Sequence, residues 1–476
     1  MTRAHFVDGR WTPSLSDDRI AVLNPATGQT LDDIPGGSAA EADAAVAAAR
    51  KAAGQWARTP ATERAACLKE AARLVRAQAE DLALAQTAEN GKPLGMSRGD
   101  IDAAAGTIEQ FAELGPLHRG RSLVGAWDAV DTMVHEPYGV AACIVPWNDP
   151  LGIAAQMLAA ALVAGNTVVL KPSEKTPLSA VAMVELFARH DVFPDGVLDL
   201  LLGDHRAGWP LVEHPDVDLV LHTGSIATGR RIAERCGALM RKAVLELGGK
   251  DPVLVDRDVD PGWAAEQVAA GAFANCGQIC TSAERVYVHA DIAEAFTARL
   301  AEQASALRFG DPHDGATQMG PLIDARQRDL VHRHVCEAVA AGARLVTGGQ
   351  VPDGAGFFYP ATVLADVTDD MLVMREETFG PVAPVRTVPS FDEAIEAANR
   401  TEYGLAATVL TADQANAQKA WRELRAGTVK VNSAWGGAPG GAAEPHKASG
   451  RGYGYGPELL DEVTVTKVVH YEPARR

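Results

Sequence analysis

The hydrophobic period changes near residue 138. Before it, residues 41–115 are Ala-rich, with apolar positions recurring at helical spacing. That pattern predicts helices over about Ala40–Ala53, Thr62–Glu89 and Ile101–Leu114, with a turn at Asn90-Gly91 before the last. From Tyr138 onward, short β-branched runs alternate with helix-length amphipathic segments. The runs are Val140–Val145, Thr167–Leu170, Val197–Leu202, Val217–Leu221 and Val244–Leu247. This βα repeat predicts an α/β fold, a parallel sheet covered by helices on both faces. A second alternation follows, with strands at Arg285–Val288, Val382–Val388, Ala406–Leu410 and Thr428–Val431. Helices are expected at Phe391–Ala398 and Ala412–Leu424. Two α/β units predict a cleft between them, where the chemistry would lie. Ala434–Gly456 is Gly/Pro-rich and reads as a long loop. The β-branched tail Glu462–His470 reads as a strand needing an edge, for which a second subunit is one candidate.

Composition narrows the partners. The 476 residues are 47% hydrophobic and 22% charged, a globular balance with length for roughly two to four domains. Net charge is −18, which disfavours nucleic acid and anionic membranes and leaves small molecules or further copies of the chain. The six cysteines show neither a disulfide framework nor a CxxC metal pattern, so free thiols, no metal and a cytoplasmic setting are expected. The N-terminal MTRAHFVDGRW lacks an apolar signal core, and Leu151–Leu170 is broken by Gln156, Gly165 and Asn166.

Ligands of open α/β sheets bind beyond the carboxyl ends of the strands. Three segments fall there: Pro146-Trp147-Asn148, Lys171-Pro172-Ser173-Glu174, and His222-Thr223-Gly224-Ser225 with Gly229 beyond. The last is either a helix cap or a phosphate site on free backbone N–H groups. A carboxylate at Glu174 can accept from both ribose hydroxyls and repels a 2′-phosphate; the alternative is a surface ion pair with Lys171. Downstream, Cys280 lies in FANCGQICTS, and Glu246 ends a strand before Gly248-Gly249. A thiolate, a side-chain amide and a carboxylate suit one reaction. The thiolate adds to an aldehyde, hydride leaves to a nicotinamide, and the carboxylate activates water to hydrolyse the thioester. Asn148 and the Cys280 amide would serve the oxyanion.

Taken in order, PWN at 146–148, KPSE at 171–174, TGS…G at 223–229, ELGGK at 246–250, GQxC at 277–280, EETFGP at 376–381 and KxSG at 447–450 resemble the aldehyde dehydrogenase superfamily along nearly the whole chain. The resemblance implies Cys280 as nucleophile, Glu246 as general base and Asn148 as oxyanion donor. It implies NAD as cofactor, with NADP as an alternative. Lys171 and Glu174 would hold the adenosine ribose, Ser225 a phosphate and Glu377 the nicotinamide ribose, with Phe379 beside the nicotinamide. Val145, Pro146, Trp147, Ser173, Gly224 and Leu247 would line the same site. It also implies a Rossmann-type cofactor domain (1–116 and 138–247), a catalytic domain (248–446), and an oligomerisation segment (117–137 and 447–476) serving a homodimer or homotetramer. Glu246 argues against CoA-acylating members, which lack this base.

The substrate pocket would include Asp149, Gln156, Ile279 and Thr281. Asp149 follows PWN where many members carry an aromatic residue, and Gln156 stands where many carry tryptophan. Both predict a polar, wider aldehyde tunnel, unless Asp149 merely caps the next helix. Glu444-Pro445-His446 replaces the usual Gly-Gly before KxSG. The segment GQICTSAERVYV is similar to members acting on small hydroxyaldehydes or semialdehydes. Competing readings are an NADP-preferring semialdehyde dehydrogenase, which Glu174 disfavours, and a catalytically silent dinucleotide-binding oligomer. Cys276 is either a packing residue or a partner for a reversible disulfide with Cys280.

Overall fold

The computed structural model describes residues 4–436 and 441–474. Five parallel strands form the centre of the first sheet, in the order Lys242–Glu246, Leu219–Thr223, Val140–Ile144, Thr167–Lys171, Leu198–Leu200. Each predicted run is present, shifted by up to two residues. Antiparallel strands close both edges: Gly450–Arg451 on one side, His5–Val7 and Arg10–Thr12 on the other. The strands are apolar on both faces because helices cover both, as the continuous hydrophobic runs require. Their parallel register aligns the carboxyl ends, with Ile144 opposite Lys171 and His222, and Thr223 opposite Glu246.

The predicted helix Thr62–Glu89 is two helices, Ala61–Ala77 and Ala79–Asn90. The chain bends at Gln78, and the second half packs Leu82, Ala83 and Gln86 toward the helices Leu94–Leu114 and Leu178–Arg189. The Asn90-Gly91 turn is a left-handed helix cap at Gly91, φ 77°.

The second sheet runs Arg344–Thr347, Thr362–Ala365, Val382–Val388, Ala283–His289, Asp251–Val255, Ala406–Leu410, Thr428–Val431, parallel except for the first strand. The interior strand Asp251–Val255 carries little local signal, since Asp-Pro reads as a turn. The register shifts between Asp251 and Pro252, and the Asp251 carboxylate takes the Ala406 N–H (3.0 Å).

The C-terminal strand Thr464–Tyr471 finds its edge within the chain, pairing along its whole length with Val130–Pro137, which also pairs Arg121–Leu123. Part of the expected loop 434–456 is ordered as Lys447–Ser449 and Gly450–Arg451; residues 437–440 of it lie outside the described residues. Among the described residues no helix is long and apolar enough to cross a membrane.

Asn166, fully buried, binds these parts together. Its Oδ1 accepts the Gly139 N–H (2.9 Å), and its Nδ2 donates to the carbonyls of Ala161 (3.2 Å) and Val463 (2.9 Å). Asn166→Ala removes the side-chain partner of the Gly139 N–H and of the Val463 carbonyl, while Ala161 O keeps the backbone N–H of residue 166. The substitution is expected to lower stability by about 2–4 kcal/mol. The drop is read from the denaturation midpoint, with Asn166→Asp as the near-isosteric control.

Candidate active site

The carboxyl ends of the first sheet face the loop that precedes strand Ala283–His289 of the second, across a cleft of about 350 Å³. Pro146, Trp147, Asn148, Asp149, Gly224, Ser225, Leu247, Ile279, Cys280, Glu377 and Phe379 all line it, so most of the predicted site residues meet there.

The turn before Cys280 is unusual. Asn275 and Cys276 adopt positive φ (48° and 57°) in addition to Gly277. Side-chain bonds hold this backbone: Gln278 Nε2 donates to Asn275 O (3.2 Å) and Pro321 O (3.3 Å), and its Oε1 accepts from Ile323 N (2.8 Å). Asn148 Nδ2 donates to Gln278 O (3.0 Å), which brings its amide to the same loop and leaves its second N–H uncommitted to that bond. Cys276 is buried in the core of the second sheet, so it packs there, and all six cysteines are free. Burial, with the charges of Glu246, Asp251, Glu377 and Asp149, pushes the Cys280 thiol up to about 12.

Glu246 ends its strand between Thr223 and Gly450. Burial lifts its carboxyl to about 8, although Oε1 accepts the Gly454 N–H (3.0 Å). A Cβ at Gly454 would stand 2.1 Å from Glu246 Cγ, so only glycine lets the carboxylate lie against this backbone. Gln156 donates to the Gly454 carbonyl. It therefore braces the partner of Glu246 from a neighbouring open groove that it shares with Thr428 and Tyr455, rather than lining the cleft itself. Thr281 likewise turns away, lining a small cavity with Asp251 and Lys430.

Glu377 and Phe379 form the opposite wall. Trp147 and Phe379 meet edge to face, centroids 5.3 Å apart, and the Lys175 ammonium sits 5.4 Å over the Trp147 ring. Glu377 Oε1 accepts the Gly249 N–H (3.1 Å), while a Cβ at Gly248 would collide with its carboxylate at 2.3 Å, which accounts for Gly-Gly here. The turn is fixed by Glu284, whose oxygens accept the N–H groups of Thr378 and Phe379 (both 2.8 Å), and which pairs with buried Lys250 (2.6 Å). Sequence reading missed Glu284; an acid inside the strand pattern AERVYV was its only signal.

Along the strand ends, Ser225 caps the helix Ile226–Ala238 through its hydroxyl, which accepts from Thr228 N (3.3 Å) and donates to Thr228 Oγ1 (3.1 Å). The capping alternative is thus the observed role of the hydroxyl, and the first-turn backbone N–H groups remain an anion-binding element. Leu247 packs against this helix where Gly229 leaves room. Val145 N–H donates to Lys171 O (3.1 Å). Lys171 is buried and donates to Pro172 O (2.9 Å), so it is no surface ion-pair partner. Burial lowers its pKa against the opposing charge of Glu174. Ser173 Oγ accepts the Lys175 N–H (3.3 Å). An anion-binding helix end, a carboxylate for hydroxyls and an aromatic wall are the donor set an extended dinucleotide requires, so the residues fit that cofactor.

Asp149 occupies the N-cap position of helix Pro150–Ala164 without a capping bond. Its buried Oδ1 lacks a hydrogen-bond partner and lies 4.0 Å from the Lys92 ammonium, which is bonded to Asp100. Lys92, Met96 and Asp100 also line the cleft, and nothing in their sequence context signals it.

The chain matches the model of the aldehyde dehydrogenase family over residues 11–469. It is 40% identical to a betaine aldehyde dehydrogenase of Cereibacter sphaeroides over 431 residues, 90% of this chain and 89% of that one. Among solved structures it is similar to lactaldehyde dehydrogenase from Escherichia coli (TM-score 0.97, 35% identity, 99% of each chain). It is also similar to betaine aldehyde dehydrogenase from Staphylococcus aureus in complex with NAD+ (TM-score 0.97, 32% identity, 100% of this chain and 96% of that one). With the family model spanning nearly the whole chain and the fold matched end to end, this protein belongs to the aldehyde dehydrogenase family and is an NAD(P)-dependent oxidoreductase of aldehydes.

Proposed function

We propose that the protein oxidises small polar aldehydes, uncharged or cationic, to their acids through a thioester on Cys280, with NAD preferred over NADP. The observation that carries this reading is the meeting of Cys280, Asn148 and Asp149 in one cleft, with Glu246 at the adjoining strand end. The Cys280 thiol is neutral at rest, so its proton must leave to solvent as sulfur bonds to the aldehyde carbon. The carbonyl oxygen gains the negative charge, met by the second Asn148 N–H and the Cys280 amide. Bound nicotinamide supplies the hydride acceptor. With hydride gone, the carbon is a thioester. Glu246 then takes a proton from water as its oxygen attacks, and the C–S bond breaks to release acid and thiol. Glu174 and Glu377 would hold the two riboses, and a carboxylate at Glu174 repels a 2′-phosphate.

Substrate class rests on charge. Asp149 and Asp100 face Lys92 on one part of the wall, Arg326 lines another, and burial raises the Asp100 carboxyl above its usual range. Beside Asp149 an anionic substrate group is disfavoured, whereas a hydroxyl or an amine can bond its uncommitted oxygen. The names of the similar proteins, betaine aldehyde and lactaldehyde dehydrogenase, are in keeping with both classes.

Cys280→Ser should abolish turnover while NAD binding persists. Glu246→Gln should show a burst of NADH and then steady turnover slowed ~10²–10⁴-fold, the range of general-base catalysis. Because the base acts deprotonated, the wild-type steady rate should climb as pH rises through about 8, and the Gln variant should lack that limb. An unchanged steady rate in Glu246→Gln would remove the assignment. Against lactaldehyde, glycolaldehyde, betaine aldehyde, succinic semialdehyde and benzaldehyde, kcat/KM with NAD and NADP should favour the first three with NAD. Asp149→Phe should lower kcat/KM for those three roughly tenfold and raise it for benzaldehyde. A wild-type preference for benzaldehyde or succinic semialdehyde would defeat the polar-pocket reading.

A further inference from the structure

Two imidazoles and a carboxylate converge away from the cleft, where the three-stranded sheet joins the first. His118 follows the turn Gly115–Leu117. His135 lies in strand Val130–Pro137 opposite Thr466, and Asp461 lies in the short helix Leu459–Glu462. The rings stack with centroids 4.1 Å apart and planes 28° from parallel. His118 Nε2 stands 2.8 Å from Asp461 Oδ1. One donor atom from each of the three residues lies within 4.8 Å of the other two. His135 Nδ1 is buried and has no hydrogen-bond partner.

We propose that His118, His135 and Asp461 bind a divalent transition-metal ion, zinc foremost, with water completing the coordination. Two imidazoles and one carboxylate form a mixed N/O set that suits Zn²⁺, Co²⁺ or Ni²⁺ and gives Mg²⁺ or Ca²⁺ too few oxygens. Zinc bonds nitrogen and oxygen at about 2.0–2.2 Å, so donors on one ion stand about 3.3 Å apart. Binding would draw the three donors together and turn the two rings out of their stack. Asp461 is exposed, which gives the ion a path from solvent. The site joins the stretch holding His118 and His135 to Asp461, 343 residues beyond His118, and so ties the helix before the C-terminal strand to the strand with which that C-terminal strand pairs. None of the three residues lines the catalytic cleft, so the proposal stands or falls apart from the reaction.

The test uses the full chain, purified without a histidine tag and stripped with chelator. Calorimetry with Zn²⁺ should show one site per chain with a Kd of about 1–10 µM or tighter. Co²⁺ should give d–d bands without the near-ultraviolet charge-transfer band of a thiolate, which separates this site from the six cysteines. Asp461→Asn, at an exposed position that does not threaten folding, should weaken Zn²⁺ binding at least roughly tenfold, and His135→Gln should abolish it. Absence of stoichiometric binding, affinity unchanged in both variants, or a Co²⁺ spectrum of thiolate character alone would overturn the proposal.

Discussion

The site hangs on the ion pair between Lys250 and Glu284, both buried in the second sheet. A charge there without its partner would be strongly destabilising, so neither side chain can move independently. Lys250 also donates to Thr378 Oγ1 (3.0 Å), and Glu284 takes the backbone N–H groups of Thr378 and Phe379. A single electrostatic knot therefore links the Gly-Gly turn after Glu246, the strand after Cys280, and the loop bearing Glu377 and Phe379. Gln327 completes it, donating to the carbonyls of Thr378 (2.9 Å) and Phe379 (3.0 Å). The positive φ of Phe379, 50°, is held by bonds to the amides and carbonyls of Thr378 and Phe379 from Glu284 and Gln327.

Burial of the ionisable groups at the site shapes its chemistry. Cys280, Glu246 and Glu377 all have their neutral forms favoured by burial. Such a centre rests uncharged and becomes ionic only as bonds rearrange, which spares the closed site from stabilising a lone thiolate. A resting thiol of this kind is also a poor target for oxidants, since thiolate character governs that reactivity.

Long-period features were legible in the sequence, and long-range ones were not. The βα alternation announces the central five strands because buried parallel strands must be apolar on both faces. Asn90-Gly91 announces its turn because the left-handed cap needs Gly91. The ordered series from PWN to KxSG carried the family and the position of Cys280. Asp251–Val255 stayed hidden because Asp-Pro suppresses a strand signal that tertiary burial overrides. Lys92 and Asp100 stayed hidden because their proximity to Asp149 is created by helix packing alone. Gln156 was legible as polar, but its target, the Gly454 carbonyl, lies 298 residues away, and no local pattern encodes it.

The antiparallel strand Gly450–Arg451 and the Gly454 amide that meets Glu246 have a consequence for the order of assembly. Gly454 emerges from the ribosome 208 residues after Glu246. The first sheet can condense with its five parallel strands while Glu246 still lacks both its edge strand and its hydrogen-bond donor. In the proposed reaction, hydrolysis is thereby deferred until the last part of the chain folds back across both halves, so a nascent or C-terminally nicked molecule would hold Cys280 without a correctly held Glu246.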